Sequence, residues 1–295
     1  MSALKLIEFR NPWNHMFGIE HLCFTELLPY WVFEYFQQSQ NGHLTSKSNS
    51  SQVSTALIMR KPTYLARKDW KTVPWSAKGR YKGIMELLLE HVVDLPAILW
   101  RYDQYNIALQ TTSTSPKELC LLLSRLWTAI GRLEGHLRRW KRDCADNYPS
   151  GQPSETEDQG AGSFPSFYYF DPITLRITKP PTIIYPDPQL AQTLCIYYAA
   201  MLMLSSTDTR PVGAIPAIER LQFAHLICRS MEYYIRAVPG NMINRMAFPL
   251  RVAYDAVAGR ALERKYIEEV FHLVERKNAL RAWGKFVPDL SSKGD

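Results

Sequence analysis

The amino-acid sequence predicts an all-α fold of antiparallel helices, in one domain that covers residues 1–295. Apolar side chains recur at steps of three and four residues over long stretches, which is the period of a helix that is buried on one face. Two helix starts are marked by a polar capping residue before a proline, at Ser115-Pro116 and Asp187-Pro188. With 46% apolar residues among 295, the chain is long enough to bury a sizeable core.

The clearest helix begins after Ser115. Ser115 is the N-cap residue, Pro116 is the first helical residue and Glu118 completes a capping box. We expect this helix to end near Asp146, before Pro149. Its apolar stripe consists of Leu119, Leu122, Leu126, Ile130, Leu133, Leu137 and Trp140. The helix is therefore predicted to pack on the core, with Leu126 at the middle of its buried face.

Further helices are predicted on both sides of this element. From residue 76 to about 105 a helical pattern is interrupted at Asp94-Leu95-Pro96, because proline lacks an amide hydrogen and clashes with the preceding turn. Residues 167–185 are rich in proline and have no helical period, so we expect an extended segment with a short strand at Thr174 to Thr178. The other helices are predicted at residues 19–38, 188–205, 215–237, 243–258 and 261–281.

Two polar segments, residues 40–54 and 149–166, are predicted to be mobile loops. The first is rich in serine and asparagine, and the second combines proline and glycine with acidic residues. Neither holds enough apolar side chains to bury a face, so both are expected to lie outside the core.

The composition limits the cofactors and the location of the protein. The net charge of +7 is compatible with nucleic-acid contact, but the basic residues are spread along the chain. The five cysteines are scattered without metal-ligand spacing and no cofactor-binding motif occurs, so neither a metal nor another cofactor is expected. Residues 1–13 hold no signal-peptide pattern, and the apolar stretch 194–204 is too short to cross a bilayer. We expect a nuclear or cytoplasmic protein that is neither secreted nor membrane-bound.

A dense positive cluster lies near the end of the long helix. It consists of Arg132, His136, Arg138, Arg139, Lys141 and Arg142. Such a cluster can bind phosphate groups or an acidic partner. It is more typical of a solvated helix face opposite a leucine stripe, and the sequence alone favours that second interpretation.

Titratable residues also group at two places nearer the start of the chain. The groups are Glu20, His21, Cys23 and the nearby His15, and Glu90, His91 and Asp94. In the first group, the adjacent acid and histidine point to different faces of an aromatic helix, which is unfavourable for acid–base catalysis. In the second group, two carboxylates share one helix face, but a metal site would need further ligands from elsewhere. Packing roles are favoured at both places.

One later helix holds the candidate catalytic residues. His225 and Cys228 lie at i, i+3 on one face, but a zinc site would need two more ligands, so a packed histidine and a buried cysteine are favoured. Glu232 lies about one turn beyond Cys228. If the chain has a catalytic site, we expect His225, Glu232 and Tyr233 to line it.

Short motifs occur in an order that is typical of one protein family. A tryptophan-containing segment, Trp70 to Trp75, precedes the stretch from Asp94 to Asp103, and the long helix closes on Leu137-Arg138-Arg139-Trp140. The best match is the segment from Ala224 to Tyr234. Together these segments resemble the all-helical regulatory domain of fungal zinc-cluster transcription factors, over roughly residues 11–285.

The resemblance implies a regulatory or ligand-binding protein that is tied to a fungal secondary-metabolite pathway. Its expected partner is another protein or a small apolar ligand, and a homodimer is an alternative assembly. The family's DNA-binding head needs six clustered cysteines, whereas the two closest cysteines here, Cys120 and Cys144, are 24 residues apart. Either this sequence is a piece of a longer protein or the gene encodes no such head, and the start Met1-Ser2-Ala3 favours the second alternative. In both cases we expect these residues alone to bind no DNA sequence specifically. The alternative is a repurposed helical enzyme that cyclises or isomerises an apolar natural-product intermediate in an aromatic-lined pocket.

Overall fold

A computed structural model describes residues 9–22, 24–25, 62–77, 81–157, 164–171 and 174–278. Helices hold 69% of these residues and strands hold 5%, so the chain is mostly helical, as the sequence predicts. The strands form two small sheets, which the prediction of an all-α fold did not include. Among the described residues, no helix combines the length and the apolar character that crossing a membrane requires.

The helices and strands are numbered in chain order. The α-helices are α1 Lys68–Thr72, α2 Ile84–Val92, α3 Leu95–Gln110, α4 Pro116–Trp140, α5 Pro188–Ser206, α6 Ala217–Ala237, α7 Ala247–Ala256 and α8 Ala261–Asn278. The strands are β1 Ser154–Thr156, β2 Tyr169–Asp171, β3 Arg176–Thr178 and β4 Thr182–Ile184. Short 3-10 helices occur at Pro12–His15, Tyr64–Ala66, Val73–Trp75 and Gly240–Met246, and a π-helical turn, Lys141–Ala145, continues α4.

The chain divides into two compact units. The first unit comprises Met1–Asn147 and Met203–Ile215, and the second comprises Tyr148–Leu202 and Pro216–Asp295. Helix α5 starts in the second unit, and its last residues belong to the first. The sequence alone predicts no such division.

Helix α4 has the start and the buried face that its sequence predicts. The backbone N–H of Glu118 donates to the Ser115 side-chain oxygen at 3.2 Å, and Pro116 occupies the first turn. The π-helical turn carries the helix to Ala145, next to the predicted end at Asp146. The side chains buried on its inner face are Leu126, Ile130, Leu133, Leu137 and Trp140.

Helices α3 and α4 are antiparallel neighbours in the first unit. The predicted interruption is confirmed, since α2 ends at Val92 and α3 begins at Leu95 with Pro96 in its first turn. The helix predicted from residue 76 begins later, at Ile84. Only residues 111–115 join α3 to α4, so the two helices lie side by side and run in opposite directions.

The second unit is built on α5, in which residues 190–200 are all buried. A helix that is apolar all round belongs inside a core, and this one lies there without a solvent-facing side. Helix α6 packs against α7 and strand β4, and α8 packs against α7. The predicted bounds of α5, α6 and α8 are confirmed to within a few residues, whereas a 3-10 helix occupies residues 240–246 where the sequence predicts the start of α7.

Both sheets are antiparallel and have two strands. Strand β1 pairs with β4, with Glu155 opposite Ile183, and β2 pairs with β3, with Phe170 opposite Ile177. Strand β3 falls inside the predicted strand at residues 174–178, which confirms that prediction. Strand β1 falls inside residues 149–166, where a loop was predicted, because backbone pairing with β4 orders a segment whose side chains are polar. Predicted segments that lie wholly or partly outside the described residues include the loop at residues 40–54, residues 158–163 of the second loop, and residues 23 and 26–38 of the first predicted helix.

Candidate functional site

An open groove of about 860 Å³ lies between α3 and α4 in the first unit. Helix α4 lines it with residues at steps of three and four, which lie on one helix face: Leu122, Arg125, Ala129, Arg132 and His136. Helix α3 contributes residues with the same spacing: Ala97, Arg101 and Gln104. The groove therefore follows the line along which the two helices meet.

The walls of the groove are basic. Arg101, Arg125 and Arg132 are exposed, and none of them forms an ion pair with another described residue. The acidic residue of the lining is Asp94, and Lys71 Nζ donates to both of its carboxylate oxygens at 3.0 Å. The charge of Asp94 is thus balanced by Lys71, and the three guanidinium groups face open space.

The floor of the groove is apolar. Ala97 and Ala129 lie on the facing sides of the two helices, and Ile98 and Leu133 are buried beneath them. Trp100 lies at the edge with 40% of its surface exposed. Small side chains between long arginines leave room for a ligand with an apolar face and negatively charged edges.

Two histidines lie at the α2 end of the groove. The ring centroids of His91 and His136 are 5.1 Å apart, and His136 lines the groove. Burial lowers the pKa of His91, and the neighbouring His136 lowers it further. The charged form of His91 is therefore disfavoured, and the fixed positive charges of the groove lining are its three arginines.

The basic cluster predicted near the end of α4 divides into residues that line the groove, residues in ion pairs, and Arg139, which is exposed and lies outside the groove lining. Arg132 and His136 line the groove. Arg138 Nε donates to Glu134 at 2.8 Å, Lys141 pairs with Asp146, and Arg142 pairs with Asp143 at 3.0 Å. Sequence reasoning missed two arginines of the groove. Arg101 comes beside Arg132 only through the packing of α3 on α4, and Arg125 shares the Arg132 face of α4 but lies outside the linear cluster.

A network of ion pairs joins α4 to residues 203–215 within the first unit. Arg210 Nη2 lies 2.6 Å from Glu134 and 2.7 Å from Asp208. Burial acts to raise the pKa of Asp208, but hydrogen bonds from Arg210 outweigh it and lower the pKa. A Cβ atom on Gly131 would lie 3.2 Å from Arg210 Nη1, so a glycine here leaves space for the guanidinium group.

The predicted candidate His225 packs among aromatic rings in the second unit. Its ring centroid lies 4.4 Å from that of Tyr169 and 5.4 Å from that of Phe167. Its Nε2 atom is 3.4 Å from Glu263 Oε1, an ion-pair distance when the imidazole is protonated. Glu263, which sequence reasoning missed, is 1% exposed and also lies 3.4 Å from Arg260 Nη1. Burial acts to raise the pKa of Glu263, but the His225 imidazole 3.4 Å away and a backbone hydrogen bond outweigh it and lower the pKa.

The other two candidate catalytic residues have different surroundings. Glu232 pairs with Arg236 at 2.9 Å on the same helix and lines a recess of about 20 Å³, together with Arg229 and Tyr266. Tyr233 packs against Tyr185, with ring centroids 5.4 Å apart. Neither His225 nor Tyr233 lines that recess, which has room for about one water molecule.

The buried cysteines of the second unit are not activated thiols. Burial raises the pKa of Cys195 to about 12, and burial together with the nearby Glu263 raises the pKa of Cys228 well above its ordinary value. The Tyr266 hydroxyl donates to the Cys228 carbonyl at 2.9 Å. Across the described residues, no three His, Cys, Asp or Glu side chains come together as a metal site would need.

The earlier titratable groups also have packing partners. His15 is buried between Phe24 and Trp70, with ring centroids 5.5 Å and 5.6 Å away. The His21 ring lies 2.8 Å from the His15 carbonyl through Nδ1, and Glu20 lies 3.8 Å from Arg10. In the second of these groups, Lys82 pairs with Glu90 at 2.9 Å and Lys71 holds Asp94. Cys23 lies outside the described residues.

Comparison of the chain with models of known protein families, with curated proteins and with solved structures finds no match. The resemblance to the regulatory domain of fungal zinc-cluster factors therefore rests on the order of the sequence motifs alone.

Proposed function

We propose that this chain is a transcription-factor-like regulatory protein of a fungal secondary-metabolite pathway, which acts by binding a partner or ligand. The observation that carries the proposal is the groove between α3 and α4. It combines an apolar floor with Arg101, Arg125 and Arg132, which have no acidic partner among the described residues. Exposed unpaired cations beside an apolar surface are typical of a site that receives an anionic partner.

The surroundings of the candidate catalytic residues favour binding over catalysis. An enzyme that reshapes an apolar intermediate needs a cavity of several hundred Å³ that encloses most of its substrate. The recess beside Glu232 is about 20 Å³, and His225 and Tyr233 pack against other aromatic rings. The groove is large enough for a ligand at about 860 Å³, but it is open along one side and carries fixed charges, which suits recognition.

The proposed regulator does not read DNA bases through the described residues. Base reading needs an element that enters a groove of the duplex, and arginines that contact phosphates give position without sequence preference. The arginines between α3 and α4 lie along the walls of a recess, so they are placed to surround a partner. Regulation would then act through a second protein that contacts the genome.

The experiment compares three strains of the source organism: intact, deleted for this gene, and carrying Arg125→Glu/Arg132→Glu in the full chain. A regulator lowers or raises the transcripts of its target genes in the deletion strain, and the double variant reproduces that change. An enzyme of the pathway instead leaves transcripts unchanged and causes one intermediate to accumulate. Unchanged transcripts with an accumulated intermediate would contradict the proposal in favour of the enzyme.

A further inference from the structure

The groove between α3 and α4 has the length and the charge pattern of a helix-binding site. Its α4 wall extends from Leu122 to His136. At 1.5 Å per residue this wall is about 21 Å long, which corresponds to about four turns of helix. A groove of that length between two antiparallel helices accepts a third helix along the same line.

The positive charges of the α4 wall have a defined spacing. Arg125 and Arg132 are seven residues apart on one face, which places their backbone positions about 10.5 Å apart. A helix that lies along the groove places carboxylates at the same distance when Asp or Glu occupies positions i and i+7. Each guanidinium group can then take one carboxylate in a bidentate pair, and Arg101 faces the same partner from the α3 wall.

The apolar floor of the groove determines which residues a bound helix needs between its two carboxylates. Ala97 and Ala129 let a helix approach closely, and Leu122 and Trp100 offer apolar contact at the edges. A helix with leucine-like residues at i+3 and i+4, between the two carboxylates, places those side chains on the floor.

We propose that the groove between α3 and α4 binds an acidic amphipathic helix of a partner protein, with carboxylates at i and i+7 held by Arg125 and Arg132 and an apolar stripe on Ala97 and Ala129. The inference rests on the proposed function, whose partner class it names. A small organic anion fits less well, because the open side leaves much of its surface in water. A nucleic-acid backbone makes no use of the apolar floor.

The test is a fluorescence-anisotropy titration of the full chain against a labelled peptide of about 18 residues. The peptide is composed of Leu, Ala and Glu, with glutamates at i and i+7 that flank a leucine stripe. We expect saturable binding at physiological salt, weakened at least about tenfold by Arg125→Glu/Arg132→Glu. A peptide with lysines in place of the two glutamates is expected to bind this double variant better than it binds the native chain.

The matched control is Lys117→Glu/Arg220→Glu, which reverses two exposed charges outside the groove, one on α4 and one on α6. Each reversal changes the charge by −2, so both double variants lower the net charge from +7 to +3. The control is expected to change peptide affinity by less than about twofold. Thermal unfolding of both variants, with midpoints near that of the native chain, verifies that they fold.

Three results would overturn the inference: no binding of the peptide, equal weakening by the two double variants, or equal binding of a peptide of the same composition in scrambled order. A duplex DNA that displaces the peptide and depends more strongly on Arg125 and Arg132 would assign the groove to a phosphate backbone instead. The proposed function fails separately. If the chain binds the peptide but deletion of its gene leaves all transcripts unchanged, the helix site is retained and the regulatory function is excluded.

Discussion

The groove of the first unit and a cluster of His225, Arg260 and Glu263 in the second, here called the His225 cluster, both contain charged side chains, but only those of the cluster are paired with each other. In the cluster, Glu263 is 1% exposed, and His225 and Arg260 lie beside it. In the groove, Arg125 and Arg132 are exposed, and no described carboxylate pairs with them. A buried charge is retained only with partners, so the cluster has a structural role, whereas cations without partners on a concave surface are available to a ligand.

The largest expected effect is on the helix that carries the groove. Leu126 is 0% exposed on the inner face of α4, so Leu126→Asp buries an unpaired charge and lowers the free energy of unfolding by about 4 kcal/mol. Urea denaturation followed by circular dichroism measures it. The control, Leu121→Asp, changes a side chain of the same helix that is 49% exposed and costs within about 0.5 kcal/mol. Equal effects of the two substitutions would contradict the buried face assigned to α4.

A smaller loss is expected from the His225 cluster. Glu263→Gln keeps the shape of the side chain but removes the charge beside His225 and Arg260, and we expect it to lower the free energy of unfolding by about 2 kcal/mol. The matched control is Glu269→Gln on the same helix, whose carboxylate is half-exposed and lies 3.9 Å from Lys265. Its expected cost is below about 0.5 kcal/mol. If Glu263→Gln lowers the free energy of unfolding no more than the control does, the structural role assigned to the cluster is wrong.

Because folding lowers the pKa of Glu263, we expect the stability of the chain to depend on pH. The pKa of Glu263 is lower in the folded chain than its ordinary value of 4.5, so its stabilisation is fully present above that value. The stabilisation is lost as pH falls through the folded pKa, because the unfolded chain takes up the proton first. At pH values below about 4.5, we expect the urea concentration at the unfolding midpoint of the native chain to decrease, and that of Glu263→Gln to decrease less. A native chain and a variant with identical acid profiles would show that Glu263 is not stabilised by its neighbours.

The smallest expected effect is at the groove itself. Arg132 has no ion-pair partner among the described residues, so Arg132→Ala is expected to change the free energy of unfolding by less than about 0.5 kcal/mol. Arg210→Ala is the contrasting variant, because Arg210 pairs with Glu134 and Asp208, and we expect it to cost about 2 kcal/mol. Thermal unfolding of the two variants side by side measures the difference. If Arg132→Ala lowers the free energy of unfolding substantially, the guanidinium group has a structural partner and is not available to bind a ligand.

Helix α4 could be predicted from the sequence because its determinants are local. The cap at Ser115, the proline after it and the step of three and four from Leu119 to Trp140 all act within one helix. The break before Pro96 is local for the same reason. The pairing of β1 with β4 could not be predicted in this way, since Glu155 and Ile183 are brought together only by the folded chain.

The candidate site also separates features that are local in the sequence from features that depend on tertiary structure. The sequence by itself determined that α4 has an apolar face and a basic face, because side-chain direction follows from helical period. It placed Arg132 and Arg142 in one cluster, since they are close in the chain. Tertiary structure alone decided that Arg132 lines an open groove with Arg101, whereas the pairing of Arg142 with its chain neighbour Asp143 is local. The physical reason is that a groove between two helices exists only where they lie side by side, and a charge in it is available to a ligand when no carboxylate pairs with it.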